Sequence, residues 1–291
     1  MLKNSLNHTF KRAVSSRSIV TPDTISRVTL PRFTPEQDPG PNFLALIDDV
    51  GIQKTVESSL IDDLPHGTTC VAIKYDSGVI LAGDRRATSG HHISHRTMEK
   101  VFPADNHSGI AIAGAAGPAL EMVRLFQLQL EHYEKVEGKS LSLDGKANQL
   151  SQMIRQNLPQ ALQGLAVIPL FAGFDLRLGL GRLFQFDVTG GRYEEANFAA
   201  TGSGSVHATT VIKMGFTEQL DESEAINLAA NAIFEAADED SATGGPDLIR
   251  DVYPIIAKIT SDGYEAISNA DISAVFGSII DNRRSRISGG D

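Results

Sequence analysis

From residue 69 onward, pairs of short strands alternate with pairs of helices, and that order restricts the chain to antiparallel sheets covered by helices. Residues 69–75 (TCVAIKY) are β-branched or apolar, Asp76-Ser77-Gly78 is a turn, and residues 79–82 form a second strand. Together they predict a hairpin. Residues 110–114 read as a buried strand ending in glycine. Pro118 then suits a helix start, with Leu120, Val123, Leu128 and Leu130 as its apolar face as far as Val136. A second helix is expected over 144–165, with Leu150, Met153, Ile154, Leu158 and Leu162 inward and a kink or split at Pro159. Strands follow at 169–174 and 182–188, with Gly190-Gly191 as a turn. Helices are expected after Gly204 and over 222–237. Residues 252–260 and 264–267 flank an Asp262-Gly263 hairpin turn, and a last helix covers 270–282. The fold class is α+β, and 68–291 reads as one domain.

Residues 1–67 have a different texture. Within the first 32, six basic residues (Lys3 through Arg32) face one acid, Asp23; from Thr34 to Asp63, seven acids face only Lys54. Prolines at 22, 31, 35, 39 and 41 exclude a long helix there. Physics alone reads this segment as a largely irregular tail. A basic, serine-containing start also fits an organelle transit peptide, although the acidic stretch behind it is atypical. The apolar run Phe43-Leu44-Ala45-Leu46-Ile47 could dock on a partner.

Composition removes several classes of function. A formal charge of −10 argues against a nucleic-acid binder, which needs clustered Lys and Arg to meet phosphates. The single cysteine, Cys70, cannot form an intrachain disulfide and points to a reducing compartment, so a cytoplasmic location is expected. No apolar run reaches the roughly 18–20 residues of a membrane span, and no secretory signal is visible. His91, His92 and His95 fall in an expected loop without metal-ligand spacing, so no metal or other cofactor is expected. Cys70 lies inside a strand with no activating neighbour and reads as a small buried hydrophobe. Gly202-Ser203-Gly204 lacks the lysine of a phosphate loop.

The junction Pro65-His66-Gly67-Thr68-Thr69 carries a specific chemistry. Glycine before threonine opens backbone conformations that an intramolecular attack on the Gly67–Thr68 bond requires. Once that bond is cut, Thr68 owns a hydroxyl and a free α-amine. An α-amine with pKa near 7.7–8.0 accepts the hydroxyl proton at neutral pH, so nucleophile and base come from one residue. Taken alone, Gly-Thr-Thr ahead of a strand is only a loop entering a sheet. Asp84 alone is a turn residue, and Lys100 alone a solvated charge.

Five ordered segments change that weighting. Thr68-Thr69-Cys70-Val71-Ala72-Ile73 with Gly83-Asp84-Arg85-Arg86-Ala87-Thr88 resembles the opening of a mature proteasome β subunit. Lys100 in Met98-Glu99-Lys100-Val101 falls where that family keeps its catalytic lysine. Gly114 in Ala113-Gly114-Ala115-Ala116-Gly117 falls at its oxyanion-hole amide. Thr201-Gly202-Ser203-Gly204-Ser205 and the stretch from Asp240 to Asp247 resemble the two later motifs. The intervals from Thr68 to Asp84, Lys100 and Gly114 match without gaps, and the likeness covers about 68–270. Glu131-His132-Tyr133-Glu134-Lys135 and the Asp240 stretch are similar to actinobacterial members.

The resemblance implies the four-layer αββα sandwich of N-terminal-nucleophile hydrolases and a propeptide, 1–67, removed by autolysis at Gly67-Thr68. It implies a threonine endopeptidase acting on unfolded polypeptides. Thr68 is the nucleophile, Lys100 favours its deprotonated form, Asp84 compensates Lys100, and Gly114 donates its amide to the oxyanion. Ser203, Asp240 and Thr243 orient the α-amine and a water; the family commonly has serine where this chain has Thr243. Ala87, Met98, Phe102, Ile112, Ala116 and Leu120 line the pocket for the residue before the scissile bond, and all six are apolar. The implied partners are other β subunits in seven-membered rings, α-subunit rings completing a four-ring stack, and an ATP-dependent unfoldase ring. Three rivals share features of this pattern: a heat-shock-type ring peptidase, a small-molecule amidohydrolase of the same fold, and a non-catalytic structural β subunit.

Overall fold

The computed structural model describes residues 65–288. All but the last three residues of the expected propeptide, including the apolar run at 43–47, lie outside the described residues. Two five-stranded antiparallel sheets make the centre of the fold. The first has β2 (Thr69–Tyr75) and β3 (Gly78–Gly83) in its middle. They are flanked by β11 (Phe198–Gly202) on one side and by β12 (Ile255–Thr260) and β13 (Gly263–Ala266) on the other. The second runs β10 (Arg192–Glu195), β9 (Leu180–Phe186), β8 (Val167–Asp175), β7 (Ser108–Gly114), β6 (Val101–Asp105). A small third sheet orders β1 (Pro65–His66), β4 (Ala87–Ser89) and β5 (His92–His95).

Alternation along β2 explains the layering. Cys70 and Ala72 point into an apolar layer shared with Leu81, Ala111, Leu170, Ala172 and Leu183, where the two sheets meet. Val71, Ile73 and Tyr75 point the other way, against helices. These are α4 (Ser205–Gly215), α5 (Glu222–Glu239) and α6 (Asn269–Ser288), which contribute Ile212, Ile233 and Phe276. On the far side, α1 (Ala116–Glu137) and α2 (Leu143–Gln156) cover the second sheet through Phe126, Leu150, Phe171 and Phe184. Three apolar layers separate four structural layers, an αββα sandwich. Because both faces of each sheet are covered, central strands such as β3 are buried at every position. Among the described residues, no helix is long and apolar enough to cross a membrane.

The helix positions hold, while some faces differ from expectation. In α1 the buried stripe is Ala119, Met122, Val123, Phe126 and Leu130, the i, i+3, i+4, i+7 pattern of one face. Leu128 falls on the opposite side and is 61% exposed. The second expected helix splits: α2 stops at Gln156, and a single turn, α3 (Leu158–Ala161), follows Asn157 as its N-cap with Pro159 in its first turn. The break resets the helical phase, so Leu162 is 80% exposed rather than inward. Six strands lie where none was expected, the two-residue β1 that pairs with β4 among them. β6 contains Pro103, tolerated because β6 is an edge strand. β5 turns the expected histidine loop into a strand exposed at every residue. β10 is mainly polar, β4 is three residues long, and β11 (FAATG) has no β-branched run. Their strand character comes from backbone pairing with a neighbour.

Phe171 stands between Phe126 and Phe184, with ring centroids 5.8 and 6.0 Å away. Phe171→Ala is expected to cost about 3–5 kcal/mol in urea unfolding of the unprocessed subunit. Leu128→Ala should stay within about 0.5 kcal/mol.

Candidate active site

Strand register assembles the site. Cys70 pairs with Gly83 and Thr69 with Gly202, so Asp84 and Ser203 extend one residue beyond their strands beside Thr68 and Thr69. In the second sheet, Val101 pairs with Ala111, and the Ile112 amide donates to the Lys100 carbonyl at 2.9 Å. Lys100 therefore enters from the start of β6. Asp240 arrives as the C-cap of α5, whose N-terminus is held by an Asp221/Glu224 capping box.

Asp84 has no solvent exposure, and Lys100 is equally buried. Lys100 Nζ lies 2.6 Å from Asp84 Oδ1 and donates also to the carbonyls of Arg86 (2.5 Å) and Gly67 (3.1 Å). All three ammonium protons have acceptors, the condition under which a buried cation is tolerated. Asp84 Oδ1 also accepts from the Thr69 amide, and Oδ2 accepts from the amides of Arg86 and Gly244, each at 2.8 Å.

Thr68 is buried, and its Oγ1 donates to the Gly67 carbonyl at 2.5 Å. The Thr68 amide reaches Ser203 Oγ at 3.4 Å, and its carbonyl accepts from the Ser203 amide at 2.8 Å. Ser203 Oγ and Thr243 Oγ1 converge on Asp240 Oδ2 at 2.5 and 2.6 Å. Partial burial pushes the Asp240 carboxyl up. The hydrogen bonds from Ser203, Thr243 and the Ala242 amide, with the His207 side chain, outweigh it and hold the carboxyl below its ordinary range.

Six expected site residues (Thr68, Asp84, Lys100, Ser203, Asp240, Thr243) thus meet in one constellation. Gly114 ends β7 at φ +114°, outside that hydrogen-bonded set. A Cβ there would meet the Ala166 carbonyl oxygen at 2.0 Å, so the neighbouring backbone demands glycine. Of the six pocket residues, Ile112, Phe102 and Leu120 belong to one apolar cluster under α1. Ala87 opens β4, Met98 donates its amide to the Arg85 carbonyl, and Ala116 opens α1.

Sequence reasoning missed several participants that act through the backbone: the Gly67 and Arg86 carbonyls and the Gly244 amide. It also missed Thr69, a fully buried hydroxyl within an apolar strand. That was the available signal, because a buried hydroxyl needs a partner. Gly67 is required twice over. Its φ is +101°, and a Cβ would meet Ala242 Cβ at 2.6 Å and Thr88 Oγ1 at 2.7 Å.

Residues 64–249 match the family model described as proteasome subunit. The chain is 56% identical to a proteasome subunit beta of Acidimicrobium ferrooxidans over 253 residues, covering 86% of this chain and 93% of that one. It is 57% identical to the Jonesia denitrificans protein of the same name over 77% of this chain and 74% of that one. For the Streptomyces griseus protein of that name the figures are 55%, 76% and 79%. The chain belongs to the proteasome β-subunit family. The matched span includes every residue of the constellation and ends beyond Gly244, the last group to touch Asp84.

Cys70 separates bystanders from participants at this site. It is wholly buried, its Sγ faces the Ile112 carbonyl, and burial pushes its thiol up to about 12 against a weaker opposing pull from Lys100. In the folded protein at pH 8 the thiol should resist iodoacetamide and react only on unfolding, read by intact mass. Asp84→Asn, which strands the Lys100 cation, is expected to cost about 3–5 kcal/mol of unfolding free energy.

Proposed function

We propose that this β subunit is the precursor of a threonine endopeptidase, with Thr68 as nucleophile and residues 1–67 as the propeptide it removes. One observation carries the reading. The Thr68 hydroxyl sits 2.5 Å from the Gly67 carbonyl oxygen, and the buried Lys100 ammonium touches the same oxygen. Attack of Oγ1 on the Gly67 carbonyl carbon breaks the bond to the Thr68 nitrogen and moves the acyl group onto the hydroxyl oxygen as an ester. The hydroxyl proton passes to that nitrogen, which becomes the free α-amine. Lys100 offsets the negative charge that builds on the carbonyl oxygen. Water then hydrolyses the ester, leaving Gly67 as a carboxylate.

The freed Thr68 repeats the chemistry on other chains. Its α-amine takes the Oγ1 proton as Oγ1 attacks a scissile carbonyl, and passes it to the leaving amine. Water hydrolyses the acyl-enzyme. Ser203 is already within reach of the Thr68 nitrogen and tied to Asp240, which supports its role in orienting the amine. Gly114 supplies the oxyanion amide in this reading. Family membership supports a setting in the cytoplasm. There, seven-membered β rings stack in pairs between α-subunit rings, an ATP-dependent unfoldase ring feeds unfolded polypeptides, and the propeptide masks the nucleophile until assembly.

The specificity pocket is assigned to Ala87, Met98, Phe102, Ile112, Ala116 and Leu120. All six side chains are apolar and none can pair with a charged group, so an Arg or Asp side chain would lose hydration without return. A Leu, Phe or Tyr gains about 1.5–3 kcal/mol on burial, and Met98 adapts its shape to each. Chymotrypsin-like cleavage is the expected outcome.

Coexpressed with an α subunit, the wild-type chain is expected to begin at Thr68 by mass spectrometry. Thr68→Ala should assemble uncleaved and inactive, and normal processing of that variant would refute the mechanism. Lys100→Ala should match it except where a neighbouring subunit cleaves in its place. Fluorogenic peptides ending in Tyr or Leu should turn over at least about tenfold faster than those ending in Arg or Glu. The reverse order would refute the pocket.

A further inference from the structure

Thr69 touches both halves of the constellation. Its amide donates to Asp84 Oδ1 at 2.8 Å, the oxygen that also holds Lys100. Its hydroxyl faces the other way, 2.6 Å from Thr243 Oγ1 and 3.0 Å from the Gly204 amide. Proton counting sets the direction of these bonds. Thr243 has one hydroxyl proton, and the Asp240 carboxylate takes it. Thr69 Oγ1 must therefore donate to Thr243 while accepting from Gly204. The result is a one-way chain from the Gly204 amide through Thr69 and Thr243 to Asp240 Oδ2, where Ser203 Oγ ends as well. Donation into Thr243 polarises its O–H and strengthens its bond to Asp240.

We infer that the Thr69 hydroxyl is a positioning group for the Thr68 α-amine, acting through Ser203 by two routes. One is the Thr243–Asp240 chain, which fixes the carboxylate oxygen that Ser203 must share. The other is the Gly204 amide, which anchors the residue adjacent to Ser203 at the start of α4. Thr69 does not touch the reacting atoms. Its side-chain and amide partners Asp84, Thr243 and Gly204 are buried, and its own exposure is zero. The chain accounts also for a hydroxyl at 243, which serine would supply equally. Position 243 needs one hydroxyl that accepts from Thr69 and donates to Asp240, and the threonine here makes both bonds. The inference rests on Thr68 being the nucleophile whose amine acts as base.

Three variants test it in assembled particles, with rates counted per subunit whose N-terminus is free Thr68. Thr69→Val keeps the shape and removes the hydroxyl, Thr69→Ser keeps the hydroxyl and removes a methyl, and Thr69→Cys offers a weaker donor. The expected order of kcat is wild type and Thr69→Ser together, then Thr69→Cys, then Thr69→Val at least about tenfold lower, with KM unchanged throughout. Should Thr69→Val not assemble, Thr69→Cys against Thr69→Ser reads the same order. A packing role predicts the opposite, Thr69→Ser below Thr69→Val, and that result overturns the inference. Equal kcat in all variants overturns it too. A particle with Thr69 intact that stays active when Thr68 is replaced by Ala would instead remove the reading beneath it, so the two failures are distinct.

Discussion

Asp84 has no access to water, and its carboxylate meets four donors: the Lys100 ammonium and the amides of Thr69, Arg86 and Gly244. Each donor comes from a different place in the chain: the start of β6, the start of β2, the turn after β3 and the loop after α5. A lone buried carboxylate would be costly, and so would a lone buried ammonium. Together, with every donor and acceptor matched, they form the point at which the first sheet, the second sheet and the α5 loop are pinned to one another. The Gly67 carbonyl that the Thr68 hydroxyl meets is tied into this junction, because the Lys100 ammonium bridges it to Asp84.

The sandwich supplies the rigidity that such a junction needs. Sheets covered on both faces leave central strands no freedom to slide, since a one-residue slip would exchange the Cys70/Ala72 face for the Val71/Ile73 face. The register that buries those residues is the same register that brings Asp84 and Ser203 past the strand ends beside Thr68. Core packing and site geometry are therefore one constraint. Small side chains between the sheets (Ala72, Ala111, Ala172, Ala199, Ala257) keep the layers close enough for Lys100 of one to reach Asp84 of the other.

Much of this was readable from the chain. The ordered motifs led to the family, and the resemblance singled out Thr68, Asp84, Lys100, Ser203, Asp240 and Thr243, which the structure brings into one constellation. The long helices and the β2–β3 hairpin followed from periodicity and turn chemistry. What escaped had weak or misleading local signals. Leu128 looks like core but lies on the outer side of α1, because side-chain identity does not reveal which of two apolar-rich helix faces a sheet will cover. β11 (FAATG) has no β-branched run and exists through its pairing with β2. Thr69 reads as one more strand residue until its hydroxyl is seen inside the interior.

By itself the sequence determined the long helices, the β2–β3 hairpin and the residues capable of chemistry, since periodicity, turn residues and side-chain functional groups are local properties. Tertiary structure alone decided why glycine stands at 67 and 114. The answers are the Ala242 and Thr88 side chains and the Ala166 carbonyl, partners distant in sequence. It also decided how hydroxyls and amides at 69, 203, 204 and 243 share their few protons. Hydrogen-bond direction depends on which groups finish within about 3 Å of one another, and only the packed sheets bring those groups together.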